Sequence, residues 1–247
     1  GTTRGTGGTG AWLPEGYSVL DKQEGDVTGD GTSDTVYVIG HKREVNSAYM
    51  DSIKVFVENG ADQSRTEVAL DKLAGYEAQV VLRDFTGDQI PDALITVATG
   101  GNGGMYLNRV VTFTGEPTVL FSDKDDQGNF VSGQFIDGYK AEIRSATGPT
   151  VTIDTSARKD DYLRLGIYDQ TGKLIKPTKL MISPSFGKLE PVDVNHDGIY
   201  ELQGSQRISG AYRADGLATV ETVLAYTDGS WQPKSVNLRI LLMNNSR

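Results

Sequence analysis

Residues 26–34 read DVTGDGTSD, with acidic or hydroxyl side chains at the first, third, fifth and ninth positions and a glycine at the sixth. Alternate side chains of such a loop point inward together, and calcium asks for a ring of hard oxygens about 2.3–2.6 Å from a common centre. The pattern returns as DFTGDQIPD at 84–92 and as DVNHDGIYE at 193–201. The expected ligands are Asp26, Thr28, Asp30, Asp34 and the Thr32 carbonyl in the first copy. They are Asp84, Thr86, Asp88, Asp92 and the Ile90 carbonyl in the second, and Asp193, Asn195, Asp197, Glu201 and the Ile199 carbonyl in the third. Gly31 and Gly198 allow a sharp turn after the fifth position, where Gln89 stands in the second copy. Magnesium fits less well, because it prefers a tight octahedron that keeps several waters. An EF-hand would need a glutamate at the twelfth position and flanking helices. Tyr37, Ile95 and Gly204 occupy the twelfth positions, and the loops run into strand-like segments. Up to three Ca2+ ions are therefore expected, which would bring the formal charge of -9 to -3.

Other chemistry is sparse. Of two histidines, His41 lies in an expected loop and His196 inside the third acidic loop. Neither G-x-S-x-G nor H-E-x-x-H occurs, and TGGNGG at 99–104 lacks the GK[ST] ending of a phosphate loop. Paired carboxylates serve glycosidases, but the clustered acids here already belong to the ion loops. No catalytic residue is assigned. The absence of cysteine removes disulfides, thiolate metal sites and cysteine nucleophiles together. A charge of -9 with scattered Lys and Arg excludes a nucleic-acid backbone as partner, and HKRE at 41–44 reads as solvated loop charge. No apolar run approaches the roughly 18 residues of a membrane-spanning helix, and no leader-like segment opens the sequence. The opening GTTRGTGGTG is expected to act as a flexible tether over residues 1–15.

The elements that hold these loops are strands. A turn glycine between two β-type runs recurs at Gly60, Gly115, Gly172 and Gly229, at spacings of 55, 57 and 57 residues. The acidic loops start 58 and 109 residues apart, so one copy is missing between the second and third. Counting back from Gly172 places its remnant at Asp137, in QFIDGYKAEI, where an Asp-Gly hairpin signal survives without the other acids. Each repeat offers four short runs rich in Val, Ile, Thr, Tyr and Phe, and no convincing helix. The expected fold is therefore all-β: a β-propeller of four blades, each of four antiparallel strands, with calcium loops between strands one and two of three blades. The blades are expected at about 16–72, 76–122, 129–183 and 187–243, within one domain spanning 16–247.

The pattern of a strand, D-x-T/N-G-D-G-x-x-D and a second strand resembles the FG-GAP or VCBS-type repeats of integrin-like β-propellers, many of them in bacterial surface proteins. The resemblance runs from about Gly16 to Leu242. It implies calcium between the first two strands of a blade and a role in adhesion or ligand binding. The expectation is a secreted or surface-attached module, with the bacterial envelope or spore surface among its locations and an extracellular protein or glycan as partner. Two other expectations are a carbohydrate-active hydrolase or lyase on the same scaffold and a coat or matrix component. Function is expected on the connections between second and third strands, since rigid scaffolds display binding residues on loops. These connections carry Tyr49, Tyr106, Tyr162 and Tyr212, with Arg43, Arg109 and Arg213 nearby. Tyrosine and arginine are favoured where binding energy concentrates, and a tyrosine opening each third strand equally suits packing between blades.

Overall fold

The computed structural model describes residues 11–101 and 104–242. Its regular structure is almost wholly β-strand, arranged in three open antiparallel sheets of eight, three and five strands. The all-β expectation holds at this level; none of the three sheets closes on itself, and a closed four-bladed ring is not what the strand pairing draws. Residues 1–10 of the expected tether lie outside the described residues. The rest of it is not free chain: Trp12 packs edge-on against Tyr37 and Phe56, and the Arg65 guanidinium lies over its ring.

The chain divides into two compact units where the sequence reading expects one domain. The first takes residues up to Asp125 together with Asp193–Tyr200 and Asp228–Ser230. Its strands are β1 (Tyr17–Gly25), β2 (Asp34–His41), β3 (Met50–Glu58), β4 (Arg65–Glu67), β5 (Leu73–Arg83), β6 (Asp92–Ala98), β7 (Tyr106–Thr112) and β8 (Thr118–Phe121). The runs β1–β4 and β5–β8 are each up-and-down meanders, as the repeat predicts. They are not separate blades, because β3 pairs β5 through Met50↔Gly75 and Ile53↔Leu73, joining them in one sheet. The central strands β2 and β6 are buried along most of their length, which is why DTVYVIG and DALITVA read as near-continuous apolar runs. β3 alternates inward Ile53, Val55 and Val57 with half-buried neighbours, one face toward the core and one toward water. Val36, Val38, Val55, Val80, Ile95 and Val111 form the centre of this core.

The second unit comprises Asp126–Val192, Glu201–Thr227 and the chain from Trp231 onward, around its own core of Phe135, Ile143, Tyr162, Tyr168, Ile208 and Val220. Its strands are β9 (Val131–Ile136), β10 (Lys140–Ser145), β11 (Val151–Asp154), β12 (Met181–Ile182), β13 (Glu190–Val192), β14 (Glu201–Ser209), β15 (Gly216–Thr227) and β16 (Ser230–Ile240). The third repeat departs from the expected four-stranded blade. After β9, β10 and β11 the chain makes a 3-10 turn at Ser156–Arg158 and a helix, α1 (Lys159–Arg164), where no helix was expected. Asp160 and Asp161 sit in the first turn of α1 and Arg164 in its last, the arrangement that a helix dipole favours. Tyr162 is the residue that α1 buries. A single apolar anchor in so short a helix leaves no periodicity to detect.

Candidate metal centre

The first acidic loop joins β1 to β2. Its geometry follows from two left-handed glycines, Gly29 (φ 83°) and Gly31 (φ 88°), whose amides turn inward. The Gly29 N–H donates to Asp26 Oδ1 and the Gly31 N–H to Asp26 Oδ2, both at 2.8 Å. The Thr32 N–H donates to Asp30 Oδ1 at 2.9 Å. Asp34, buried at the start of β2, accepts the Val27 N–H at 3.0 Å and the Thr28 hydroxyl at 3.0 Å on Oδ2. Its Oδ1 takes the Gly60 N–H at 2.9 Å, which ties the turn glycine after β3 to the loop. Carboxylate oxygens of Asp26, Asp30 and Asp34 lie within 4.8 Å of one another. Burial opposes the charge on Asp26, but the Gly31 and Gly29 amides outweigh it and hold its carboxyl below the usual carboxylate range.

The second loop, between β5 and β6, repeats this bonding. The Gly87 and Gln89 amides donate to Asp84 at 2.8 Å each, and the Ile90 amide to Asp88 at 2.9 Å. Gln89 adopts φ 67°, so a glutamine takes the left-handed turn that glycine takes in the other copies. Asp92 is fully buried: its Oδ2 accepts the Phe85 N–H at 2.9 Å, while its Oδ1 has no hydrogen-bond partner among the described residues. Burial pushes its carboxyl up to about 6 against the Phe85 amide and Thr112 hydroxyl, with the charges of Asp88 and Asp84 adding to the rise.

The third loop keeps the same frame. The Asp197 and Gly198 amides donate to Asp193 at 3.1 and 2.9 Å, and the Ile199 amide to Asp197 at 3.0 Å. His196 (φ 56°) and Gly198 (φ 82°) supply the two left-handed turns. Asn195 is exposed at the third position. Glu201, the ninth-position acid, belongs to the second unit, where its buried carboxylate accepts from Lys234 Nζ at 3.2 Å. The degenerate copy is a tight β9–β10 hairpin: Asp137 Oδ1 accepts the Leu174 N–H and the Gly138 N–H donates to the Gly172 carbonyl, each at 2.8 Å. The all-oxygen donor set of the first loop, with Thr28 as its hydroxyl, suits a hard divalent cation; among the described residues Asp26, Asp30 and Asp34 are the one group of three acids drawn this close together.

The tyrosine-bearing connections are not four equivalent positions. In the first unit, Tyr49 is partly exposed with its ring 5.3 Å from that of Tyr76, and Tyr106 is half-buried at the start of β7. Arg43 is exposed and pairs with Asp51 at 3.3 Å; the same carboxylate meets His41 Nδ1 at 2.7 Å. Arg109 is buried, with its guanidinium on Asp123 and the Asn108 carbonyl at 2.8 Å each, so it does not face solvent as a rim residue would. In the second unit, Tyr162 is also buried rather than looped out, and its hydroxyl donates to Asp215 Oδ2 at 2.7 Å. Asp215 further accepts from Arg158 and from the Ala211 N–H, and the Tyr212 hydroxyl donates to Asp161 at 2.6 Å. Burial, with the Asp215 hydrogen bond as a second cause, raises the Tyr162 phenol far above the ordinary range. Arg213 remains exposed in the hairpin before β15, its carbonyl accepting from Ser209. Sequence reasoning missed Asp215, Arg158 and Asp161, because short loop segments give no sign of which acid the fold will bury.

A family model described as the YybI C-terminal domain matches residues 129–239, starting close to the beginning of the second unit. The Bacillus subtilis (strain 168) protein YybI, itself uncharacterized, is 33% identical over 217 residues, covering 85% of this chain and 80% of that protein. The chain belongs to the YybI family. YybI membership overturns the expected FG-GAP or VCBS kinship. A nine-residue acidic turn is short enough to arise in unrelated strand-loop-strand frames, so it marks a local geometry and not a lineage. The YybI C-terminal match includes the third acidic loop and leaves the first two, at 26–34 and 84–92, outside it.

Proposed function

We propose that this YybI-family chain is a calcium-stabilised β-scaffold that works outside the cytoplasm as a binding or adhesion module for protein or glycan. The observation that carries the reading is the first loop, where three carboxylates converge within 4.8 Å on a frame of inward amides that the second loop repeats. Asp26, Asp30 and Asp34 would hold one ion and Asp84, Asp88 and Asp92 another; the ion would neutralise the clustered charge and staple the first two strands of each meander. Largely exposed loops of this kind suit the calcium concentrations outside cells, where modules bind at roughly 10⁻⁴–10⁻³ M. Ligand capture is assigned to the connection that carries Arg43, Val45 and Tyr49, which combines a cation, an aromatic ring and an apolar side chain at the surface.

Calcium at a few millimolar should raise folding stability by about 1–2 kcal/mol per loop. Thermal melts of the full chain in calcium and in chelator test this, with magnesium as the comparison ion. Superimposable melts would end the calcium reading.

A further inference from the structure

The second unit carries a cleft of about 400 Å3, open to solvent, on the outer face of β9 and β10. Small-molecule sites start at about 300 Å3 and join an apolar wall to a few convergent polar groups. Strand alternation builds both parts here. Phe135, Ala141 and Ile143 turn into the core, so Ser132 and Gln134 of β9 and Glu142 and Arg144 of β10 turn out. Register sets Ser132 beside Arg144 and Gln134 beside Glu142, and a single bridge sets Lys179 on the other side of Gln134. Leu180 and Ile182 form the apolar wall. Leu180 fits there because residue 133 is glycine: a Cβ at that position would lie 2.6 Å from Leu180 Cδ1.

The polar heads in the cleft are largely uncommitted. Arg144 Nε and Nη2 both donate to Glu142 Oε1, at 2.9 and 2.8 Å. Glu142 Oε2 and Arg144 Nη1 are left without a partner among the described residues, as are Lys179 Nζ, the Gln134 amide and the Ser132 hydroxyl. Glu142 and Lys179 stand two strand spacings apart, about 10 Å, with Gln134 between them. That separation leaves Lys179 unpaired and gives the cleft two cations against one acid.

We propose that this cleft binds a sugar bearing a single carboxylate, such as a hexuronic acid residue of a glycan. The carboxylate meets Lys179, ring hydroxyls bond with Glu142 Oε2, Gln134 and Ser132, and the C–H face of the ring rests on Leu180 and Ile182. One excess positive charge matches one carboxylate; a dianionic phosphate would leave a charge unmatched beside Glu142. The site is separate from the connection that carries Arg43 and Tyr49, and it depends neither on that connection nor on calcium.

Galacturonic acid titrated into the full chain and followed by amide NMR should shift Ser132, Gln134 and Lys179 saturably, with galactose, acetate and inorganic phosphate each several-fold weaker. Lys179→Gln should weaken galacturonic acid by at least about tenfold, the worth of one charge-assisted hydrogen bond. Glu142→Gln frees the Arg144 guanidinium for the ligand and should bind galacturonic acid at least as tightly as the parent; a loss as large as that of Lys179→Gln would overturn the assigned charges. Acetate or phosphate binding as tightly as galacturonic acid would overturn the sugar, and galactose doing so would overturn the carboxylate. Parental affinity in Lys179→Gln, or no shift at tens of millimolar, would overturn the site. Shifts confined to the amides around Arg43 and Tyr49 would also overturn it, while leaving the capture surface of the first unit in place.

Discussion

Gln89 occupies a glycine's place, and its replacement gives a clean measure of the loop geometry. Its φ of 67° matches the left-handed turn of Gly31 (88°) and Gly198 (82°), and its amide makes the same bond to the first-position aspartate. A residue with a Cβ loses about 1–2 kcal/mol in this conformation. Glycine returns about 0.5–1 kcal/mol of that by its greater freedom in the unfolded chain. Gln89→Gly should therefore stabilise the first unit by about 0.5–1 kcal/mol, equivalent to a few degrees in Tm. The side chain is exposed, so little packing is lost. Gly31→Gln should cost a similar amount. Urea denaturation in chelator isolates the backbone effect from any ion. A destabilised Gln89→Gly variant, or a neutral Gly31→Gln variant, would refute the left-handed frame on which the loop comparison depends.

Gly60→Ala should cost at least about 3 kcal/mol, because its Cβ would lie 1.8 Å from the Ser33 carbonyl oxygen and would displace the Gly60 amide from Asp34; a near-parental urea midpoint would contradict this. The folded carboxyl of Asp92 titrates near 6, against an ordinary 3.8, so between those values the folded form holds a proton that the unfolded chain has released. In chelator, stability should fall as pH rises from about 4 through about 6, by up to about 3 kcal/mol, and then level; Asp92→Asn should flatten the curve, and an already flat parental curve would be inconsistent with the burial described. In the second unit, Asp215→Ala strands the Arg158 guanidinium and the Tyr162 hydroxyl and should cost roughly 3 kcal/mol, whereas Tyr162→Phe should cost about 1–2 kcal/mol; equal losses would show that the network is not centred on Asp215.

The acidic loops were legible because their geometry is local: nine consecutive residues contain both the carboxylates and the turn positions. Runs of strand-forming residues were legible for a related reason: β1–β4, β9–β12 and β13–β16 lie inside the spans 16–72, 129–183 and 187–243, whereas β5 starts at Leu73, ahead of the expected 76. What pairs with what was not. The β3–β5 pairing that merges the first two meanders depends on long-range register, to which Met50 and Gly75 give no local clue. Arg109 reads as a surface residue until the fold buries it and leaves its guanidinium paired with the exposed Asp123, fourteen positions on. The α1 segment SARKDDYLR carries too few apolar residues for any period to emerge, and its helicity comes from seating Tyr162 in the second core. Kinship was misread because a local ion-loop pattern was taken for a family signature, whereas the YybI match rests on likeness spread along the chain.

The interleaving of the two units in the chain sets an order of events during synthesis. The first unit has most of its residues by Asp125, yet it is completed only with Asp193–Tyr200 and Asp228–Ser230. At roughly 5–20 residues per second, the last of these emerges on the order of 5–20 s after Asp125. For roughly the first 4–15 s of that interval Gly87 lacks the Ile199 side chain and the Asp84 carbonyl lacks the Tyr200 amide. The nascent first unit is thus left unfinished at its second acidic loop until Tyr200 has been made, and no single cut in the chain can release the unit complete.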